Sequence, residues 1–257
     1  MTLLLLAPRI NETGLQLLTR ARLRGLRAHT AVRWEVPDEL AGLRPAHLYG
    51  GPLFADVAAG ALDVAPLEPP ADWLATLPAE LLGRRVECTT LAEARRLRRP
   101  AFLKPPVDKL FPARVYPDGS GLPGPDALDD DTLVQISDVV AFAEEYRLFV
   151  LDGAVRTASR YAVDGSLAVS PEVGPEVLAF AADALAAGGL PSAVVVDVGR
   201  LADGTWAVVE ANPAWASGGY ACDPDHVLDV VLRAAGPTTA VTPADRSYAR
   251  PIPDVVR

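Results

Sequence analysis

The sequence predicts an α/β (α+β) protein on three observations. Apolar runs alternate with helically spaced leucines and alanines through residues 1–83, the signature of strand–helix–strand units. Two later apolar pairs turn back on themselves about Asp152-Gly153 and Asp203-Gly204, and Asp-Gly is a strong short-range hairpin signal. Proline and glycine clusters fall between these patterns rather than inside them.

Leu3 to Ala7 reads as a first buried strand. It lacks the basic start of a signal peptide and soon meets Arg9, Asn11 and Glu12. Residues 12–23 carry leucines at helical spacing. Ala31 to Val36 reads as a second strand and Ala46 to Tyr49 as a third. Gly50-Gly51-Pro52 precedes a helix from Leu53 to Ala61, and Leu62 to Leu67 adds a short strand. This is an N-terminal α/β domain, 1–83, closed by a proline-rich connector from Pro66 to Pro78 with a partly helical stretch over Asp72 to Leu82.

A second domain, 84–236, begins with a helix capped by Thr89 or Thr90. Ala101 to Lys104 is a strand ending at Pro105-Pro106. Residues 105–131, rich in Pro, Gly and Asp, read as a long loop with a short strand at Arg114 to Tyr116; a loop of that length is more often a functional lid than filler. Leu133 to Ile136 is a strand, Tyr146 to Leu151 and Ala154 to Tyr161 form a hairpin, and Pro171 to Ala187 is a helix. Two strands bearing carboxylates follow, and His226 to Ala235 closes the domain. The tail, 237–257, is expected to pack loosely.

Composition bounds the function. Half of the 257 residues are apolar and the net charge is −9, which argues against nucleic-acid binding by bulk electrostatics. No run is apolar enough to cross a membrane. The two cysteines, Cys88 and Cys222, have no zinc spacing and suit a reducing cytoplasm. There is no GxGxxG or Walker loop, and none of the three histidines has the context of a catalytic triad.

The chemistry concentrates in Ala193-Val194-Val195-Val196-Asp197-Val198-Gly199 and Val208-Val209-Glu210-Ala211-Asn212-Pro213. Paired about their Asp-Gly turn, these strands can bring Asp197, Glu210 and Asn212 together, with Glu210 and Asn212 on one face. Three hard oxygen donors suit a magnesium ion bridging nucleotide phosphates; a solvated hairpin end is the plain alternative. Lys104, at a strand end, can reach phosphate as a point charge. Lys109 and Arg114, inside the loop, read first as solvated charges. Arg147 and Arg160, on the two strands of a hairpin, are expected to point into one cleft, where their forks suit phosphate or carboxylate oxygens; ion pairs with Glu144 or Glu145 would also explain them. Trp215, Ser217 and Tyr220 either line an acceptor pocket or pack. Cys222 reads as a small buried filler.

The order strand–Lys104–loop, hinge, Glu145-Tyr146-Arg147-Leu148-Phe149-Val150, then Asp197 and Glu210-Ala211-Asn212-Pro213 resembles the ATP-grasp superfamily. More narrowly it resembles the short ATP-grasp clade named for two arginines and one lysine, over about residues 84–235. The resemblance implies an ATP-grasp fold with a small Rossmann-like N-terminal pre-ATP-grasp domain. It implies ATP and Mg²⁺ as cofactors, with Lys104 on the α/β-phosphates, Lys109 as a further nucleotide contact, and a hinge from Gln135 through Ile136, Ser137 and Asp138 to Val139. There, backbone groups of Gln135 and Ile136 would read adenine and Asp138 the ribose. Asp197, Glu210 and Asn212 would hold metal, and Arg147 and Arg160 would face the γ-phosphate and an acyl phosphate as catalytic groups. The pattern departs from most such enzymes in lacking a glycine-rich phosphate loop and an additional upstream lysine, near which Arg84 or Arg85 stands.

The implied reaction joins a small-molecule or peptide carboxylate to an amine, in the cytoplasm, with no membrane or nucleic acid involved and homodimerisation left open. Two other readings stand beside it: a phosphotransferase on the same fold, and a nucleotide-binding regulator without catalysis.

Overall fold

The computed structural model describes residues 2–9, 11–107 and 109–252; expectations that fall on Met1, Ile10, Asp108 and residues 253–257 lie outside them. A parallel sheet opens the chain. Its central strand β1 (Leu3–Leu6) lies between β2 (Arg27–Thr30) and β3 (Ala46–Tyr49). The helix α1 (Glu12–Leu23) connects β1 to β2, and its N-cap Asn11 accepts from the Gly14 amide at 2.7 Å, an arrangement that contributes about 1 kcal/mol. A short α2 (Asp38–Ala41) precedes β3, and α3 (Pro52–Leu62) leads into β4 (Val64–Pro66). Two single-turn helices, α4 (Trp73–Thr76) and α5 (Ala79–Leu82), fill the connector.

The second strand therefore falls at 27–30, not at Ala31 to Val36. The chain leaves α1 through Gly25, at φ 77°, and pairs at once, with Arg27 opposite Leu3. The apolar Val32 and Trp34 lie beyond the sheet and are exposed.

A four-stranded antiparallel sheet follows in the order β5-β8-β6-β7: β5 (Val86–Thr90), β6 (Ala101–Lys104), β7 (Arg114–Tyr116) and β8 (Leu133–Ser137). Thr90 caps the one-turn α6 (Leu91–Ala94) that follows β5. The segment expected to be a lid is largely built into this unit. Phe111, Tyr116 and Leu122 are buried in its core, and Gly119 lies so close to the Ala94–Arg95 backbone that a Cβ there would come within 2.3 Å of a carbonyl oxygen.

The largest sheet is antiparallel, in the order β11-β10-β9-β12-β13: β9 (Phe142–Leu151), β10 (Ala154–Val163), β11 (Ser166–Ser170), β12 (Ala193–Leu201) and β13 (Trp206–Asn212). Helix α7 (Pro175–Ala186) packs Val177, Ala181 and Ala184 against Leu148, Val194, Val196 and Val198. Helix α8 (Pro224–Ala234) packs Val227, Leu228 and Val231 on the other face, in one core with Phe149, Val195 and the N-terminal sheet. Cover on both faces explains why β12 reads as an unbroken apolar run. Edge strands β5 and β11 are short and partly polar, Val-Glu-Cys-Thr-Thr and Ser-Leu-Ala-Val-Ser, and their sequences announce no strand.

The tail does not pack loosely. β14 (Ala235–Pro237) pairs with β4. Beyond it Arg250 bridges Asp56 and Glu68 at 2.8 Å each, and Asp245 is buried beneath Ser192, Thr242 and Arg233. Backbone bonds add to these ties, the Glu68 amide donating to the Tyr248 carbonyl and the Arg250 amide to the Pro66 carbonyl at 2.8 Å each.

Candidate functional site

A polar row crosses the large sheet on the face turned toward the N-terminal unit. Ser159 on β10 lies opposite Arg147 on β9, Arg147 opposite Asp197 on β12, and Asp197 opposite Glu210 on β13. Arg147 grips Asp197 with both arms of its fork, Nε to Oδ1 at 2.9 Å and Nη2 to Oδ2 at 2.6 Å, and its Nη1 donates to the Gly218 carbonyl at 3.2 Å. Asp197 is 1% exposed. Burial opposes the Arg147 charge, but the Asp197 carboxylate overcomes it and holds the guanidinium above its ordinary range. For Asp197 burial works upward against that same fork, with Glu210 and Glu145 adding like-charge repulsion.

Glu210 forms the outer end of the row. Lys104, brought in by β6 of the smaller sheet, donates to its Oε2 at 2.5 Å, and Asn212 Nδ2 donates to its Oε1 at 2.8 Å. Burial would raise this carboxyl, but Lys104 and Asn212 together hold it below the usual glutamate range. The ammonium–carboxylate contact thus joins the two sheets between residues far apart in sequence, beside the apolar packing of Val86 of β5 in the core of the large sheet.

The oxygen donors here fit a magnesium ion in part. Glu210 and Asn212 are adjacent on one face, and Asn212 keeps its Oδ1 as an acceptor. Magnesium takes one or two carboxylates and fills its remaining positions with water and phosphate oxygens. Asp197, by contrast, gives both oxygens to Arg147. Among the described residues, no group of three or more His, Cys, Asp and Glu side chains is arranged to hold a metal. A set that included Asp197 would require the Arg147 fork to open.

Two tyrosines complete the surroundings of Arg147. Its guanidinium carbon lies 5.0 Å from the Tyr220 ring centre and 5.7 Å from that of Tyr161, and the rings stack at 5.0 Å and 12°. Tyr161 donates to Glu145 Oε2 at 2.7 Å, and burial, with Asp197 and Glu145 nearby, raises its hydroxyl well above the ordinary range. Tyr220 sits at φ 49°, a left-handed conformation uncommon for a bulky residue. The role of these tyrosines beside Arg147 leaves no sequence signal, since it depends on a bulge at Tyr161 and on that backbone turn.

Arg160 is not in this cluster, contrary to expectation. A regular hairpin from Leu151 opposite Ala154 would set Arg160 opposite Glu145, on the Arg147 face. An extra residue at Arg156 shifts the register, and Arg160 lies opposite Tyr146 on the α7 face, bonded to Glu144 at 3.2 Å. A one-residue slip exchanges the faces of a strand.

The other candidates are dispersed around the crevice. Gln135 is buried beside Lys104 in register, Ile136 and Ser137 are buried in β8, and Asp138 is half-buried and Val139 exposed where β8 leads into β9. Asp138 accepts from the Arg85 amide at 3.1 Å and faces Arg99 at 3.5 Å. Lys109 is exposed in the β6–β7 connection. Arg84 is committed to the carbonyls of Leu82, Val208 and Val209. Trp215 and Ser217 pack: Trp215 is fully buried with its Nε1 on the Leu67 carbonyl, and Ser217 caps Pro213. Cys222 is buried against Ser159, and burial pushes its thiol up, away from thiolate chemistry.

A family model matches residues 81–230; it describes an ATP-grasp domain, family 2 of the clade named for two arginines and one lysine. Among solved structures, D-cycloserine synthetase DcsG is 16% identical, with 90% of this chain and 98% of that one covered at a TM-score of 0.58. D-alanine–D-alanine ligase from Bacillus anthracis is 14% identical, with 91% and 96% covered at 0.56. A RimK domain ATP-grasp protein from Sphaerobacter thermophilus is 19% identical, with 90% and 100% covered at 0.50. At these identities the likeness is one of fold. No curated protein matches the chain by sequence.

Proposed function

Because this chain belongs to the ATP-grasp domain family, in family 2 of the two-arginine, one-lysine clade, we propose that it is an ATP-dependent carboxylate–amine ligase. A substrate carboxylate oxygen attacks the γ-phosphorus of ATP, the bond to the β–γ bridging oxygen breaks, and an acyl phosphate and ADP result. The amine nitrogen then attacks the acyl carbon, inorganic phosphate leaves, and the nitrogen loses a proton to give the amide. Carrying this reading is the 2.5 Å contact between Lys104 and Glu210, which brings a cation from one sheet and a carboxylate from the other to a single point beside Arg147.

In this reading Lys104 exchanges Glu210 for phosphate oxygens, and Lys109 extends the basic rim along the β6–β7 connection. The segment Gln135, Ile136, Ser137, Asp138 and Val139 seats the nucleoside, with Asp138 on the ribose. Glu210 and Asn212 are the residues that would hold Mg²⁺, joined by Asp197 once Arg147 turns to the transferring phosphoryl group. Bound there, the ion neutralises charge on the phosphate oxygens. Arg147 meets that charge from the sheet face, in surroundings where a fixed donor acts far more strongly than in water. The residues at the crevice position the reactants and exclude water from the acyl phosphate.

Calorimetry with ATP, with and without Mg²⁺, followed by ADP release across paired acids and amines, tests this. Free phosphate should form only when acid and amine are both present. Arg147→Lys should lower kcat about 100-fold, the loss typical of one transition-state donor, with ATP affinity little changed. Phosphate transfer that needs no amine would overturn the ligase reading.

A further inference from the structure

We propose that the stacked rings of Tyr161 and Tyr220 are a second seat for Arg147, one that holds its guanidinium at the crevice when Asp197 gives up the fork. The inference rests on the ligase reading and assigns both tyrosines as positioning residues for the arginine that meets the transferring phosphoryl group.

Two backbone irregularities bring the rings together. On β10, Ser159 and Arg160 pair with Arg147 and Tyr146, and Ala162 pairs with Glu145, so Tyr161 is the extra residue of a bulge. Such bulges re-aim a side chain and recur beside active sites. Tyr220, in the loop after β13, keeps φ 49°, a conformation that persists in a bulky residue only where its surroundings over-determine it. The rings meet at 5.0 Å and 12°. Both are half-buried, and neither joins an apolar core among the described residues, so core packing does not account for the stack. What the rings share is Arg147, whose guanidinium carbon lies 5.0 Å from one centre and 5.7 Å from the other, within reach of a cation–π contact.

This seat is independent of Asp197. Tyr161 is fixed through its hydroxyl, which donates to Glu145 Oε2 at 2.7 Å. The loop bearing Tyr220 is tied to the N-terminal unit, where the Ser217 carbonyl accepts from Tyr49 at 3.0 Å and the Gly219 amide donates to Thr13 at 2.8 Å. Between those ties the Gly218 carbonyl accepts from Arg147 at 3.2 Å. One loop therefore offers the guanidinium a carbonyl and a ring face, and neither contact uses an oxygen of Asp197.

The two seats differ in kind. Asp197 binds with full charge through two oxygens, and a buried guanidinium stripped of it would stand uncompensated. Ring faces carry no net charge. They attract a cation through their quadrupoles and accept none of the fork's N–H donors in the way a carboxylate does, so they hold the guanidinium without competing with phosphate oxygens for it. Asp197 can then turn to a cation while Arg147 stays in place for the phosphoryl group.

Arginine side-chain NMR on the full chain tests this through exchange of the Arg147 Nε proton with water. The resonance is identified by its loss in Arg147→Lys. Arg233, whose Nε donates to Ser192 at 3.0 Å outside the stack, is the internal reference. Asp197→Asn stands in for the opened fork. In that variant Arg147 should exchange slowly, and adding Tyr220→Leu should speed its exchange about tenfold, the factor one such contact supplies, with Arg233 unchanged. Tyr161→Leu should act in the same way, whereas Tyr220→Phe, which keeps the ring, should leave exchange slow. Exchange at Arg147 that Tyr220→Leu does not alter would overturn the proposal, and so would equal rises at Arg147 and Arg233, the mark of general loosening. Should Asp197→Asn not fold, Tyr220→Leu and Tyr220→Phe in the otherwise unchanged chain decide by the same contrast. Calorimetry of the unsubstituted chain with the ATP analogue AMPPNP and Mg²⁺ tests the ligase reading separately. No binding there would overturn that reading and leave the arginine seat standing.

Discussion

Asp197 and Asp245 are almost equally hidden from solvent, at 1% and 2% exposure, yet they are held in opposite ways. Asp245, in the tail, accepts from the Ser192 amide and hydroxyl and the Thr242 hydroxyl, all at 2.8 Å, and from Arg233 at 3.3 Å. Burial works to raise its carboxyl, but these donors outweigh burial and hold it below the usual aspartate range. Asp197 leans on one partner, Arg147, and has Glu210 and Glu145 nearby with the same charge. A carboxylate wrapped by fixed dipoles needs nothing further. One that shares a single cation among crowded acids gains when another cation arrives, and that difference separates a structural anchor from a site ready for ligand.

The largest test of this contrast is Asp197→Ala. It strands a buried guanidinium and should cost about 3–5 kcal/mol in urea unfolding, with much of the loss recovered when Arg147→Met is added. Asp245→Ala leaves hydroxyl and amide donors that water can reach more readily, and should cost about 2–3 kcal/mol while exposing the tail to limited proteolysis. A larger loss at Asp245 than at Asp197 would break the comparison.

The pH dependence sharpens it. The folded pKa of Asp245 lies below its unfolded value, so its contribution is fully present above about pH 4 and is lost as pH falls through the folded value. Asp245→Asn should therefore flatten the acid limb of a stability–pH curve. The smallest effect belongs to Arg160→Ala. Its partly exposed pair with Glu144 should contribute at most about 1 kcal/mol, and kcat should stay within a few-fold of the parent because the side chain lies on the other face from Arg147.

Much of the fold was legible. Leucine spacing and the Asn11 cap mark α1, the Asp152-Gly153 and Asp203-Gly204 turns mark both hairpins, and Gly153 and Gly204 take the positive φ, 76° and 90°, that such turns require. The strands carrying Lys104, Arg147, Asp197 and Glu210 lie where their apolar runs end. Polar edge strands β5 and β11 left no periodic signal, and the tail read as loose because its ties, backbone bonds and ion pairs alike, reach residues far away in sequence. The Tyr161–Tyr220 stack was hidden for the same reason: nothing local joins its members.

The sequence by itself determined most of the strands, the two Asp-Gly turns and which residue types stand along them. Tertiary structure decided which of those side chains meet. A regular hairpin about Asp203-Gly204 would pair Asp197 with Val209 and turn Glu210 to the opposite face; the extra residue at Val209 sets Glu210 across from Asp197 instead. The extra residue at Arg156 does the reverse for Arg160 and removes it from the row. Strand side chains alternate with a period of two, so one inserted residue exchanges every face beyond it. Nothing in the local residue pattern marks where that residue falls, and only the paired strands reveal it.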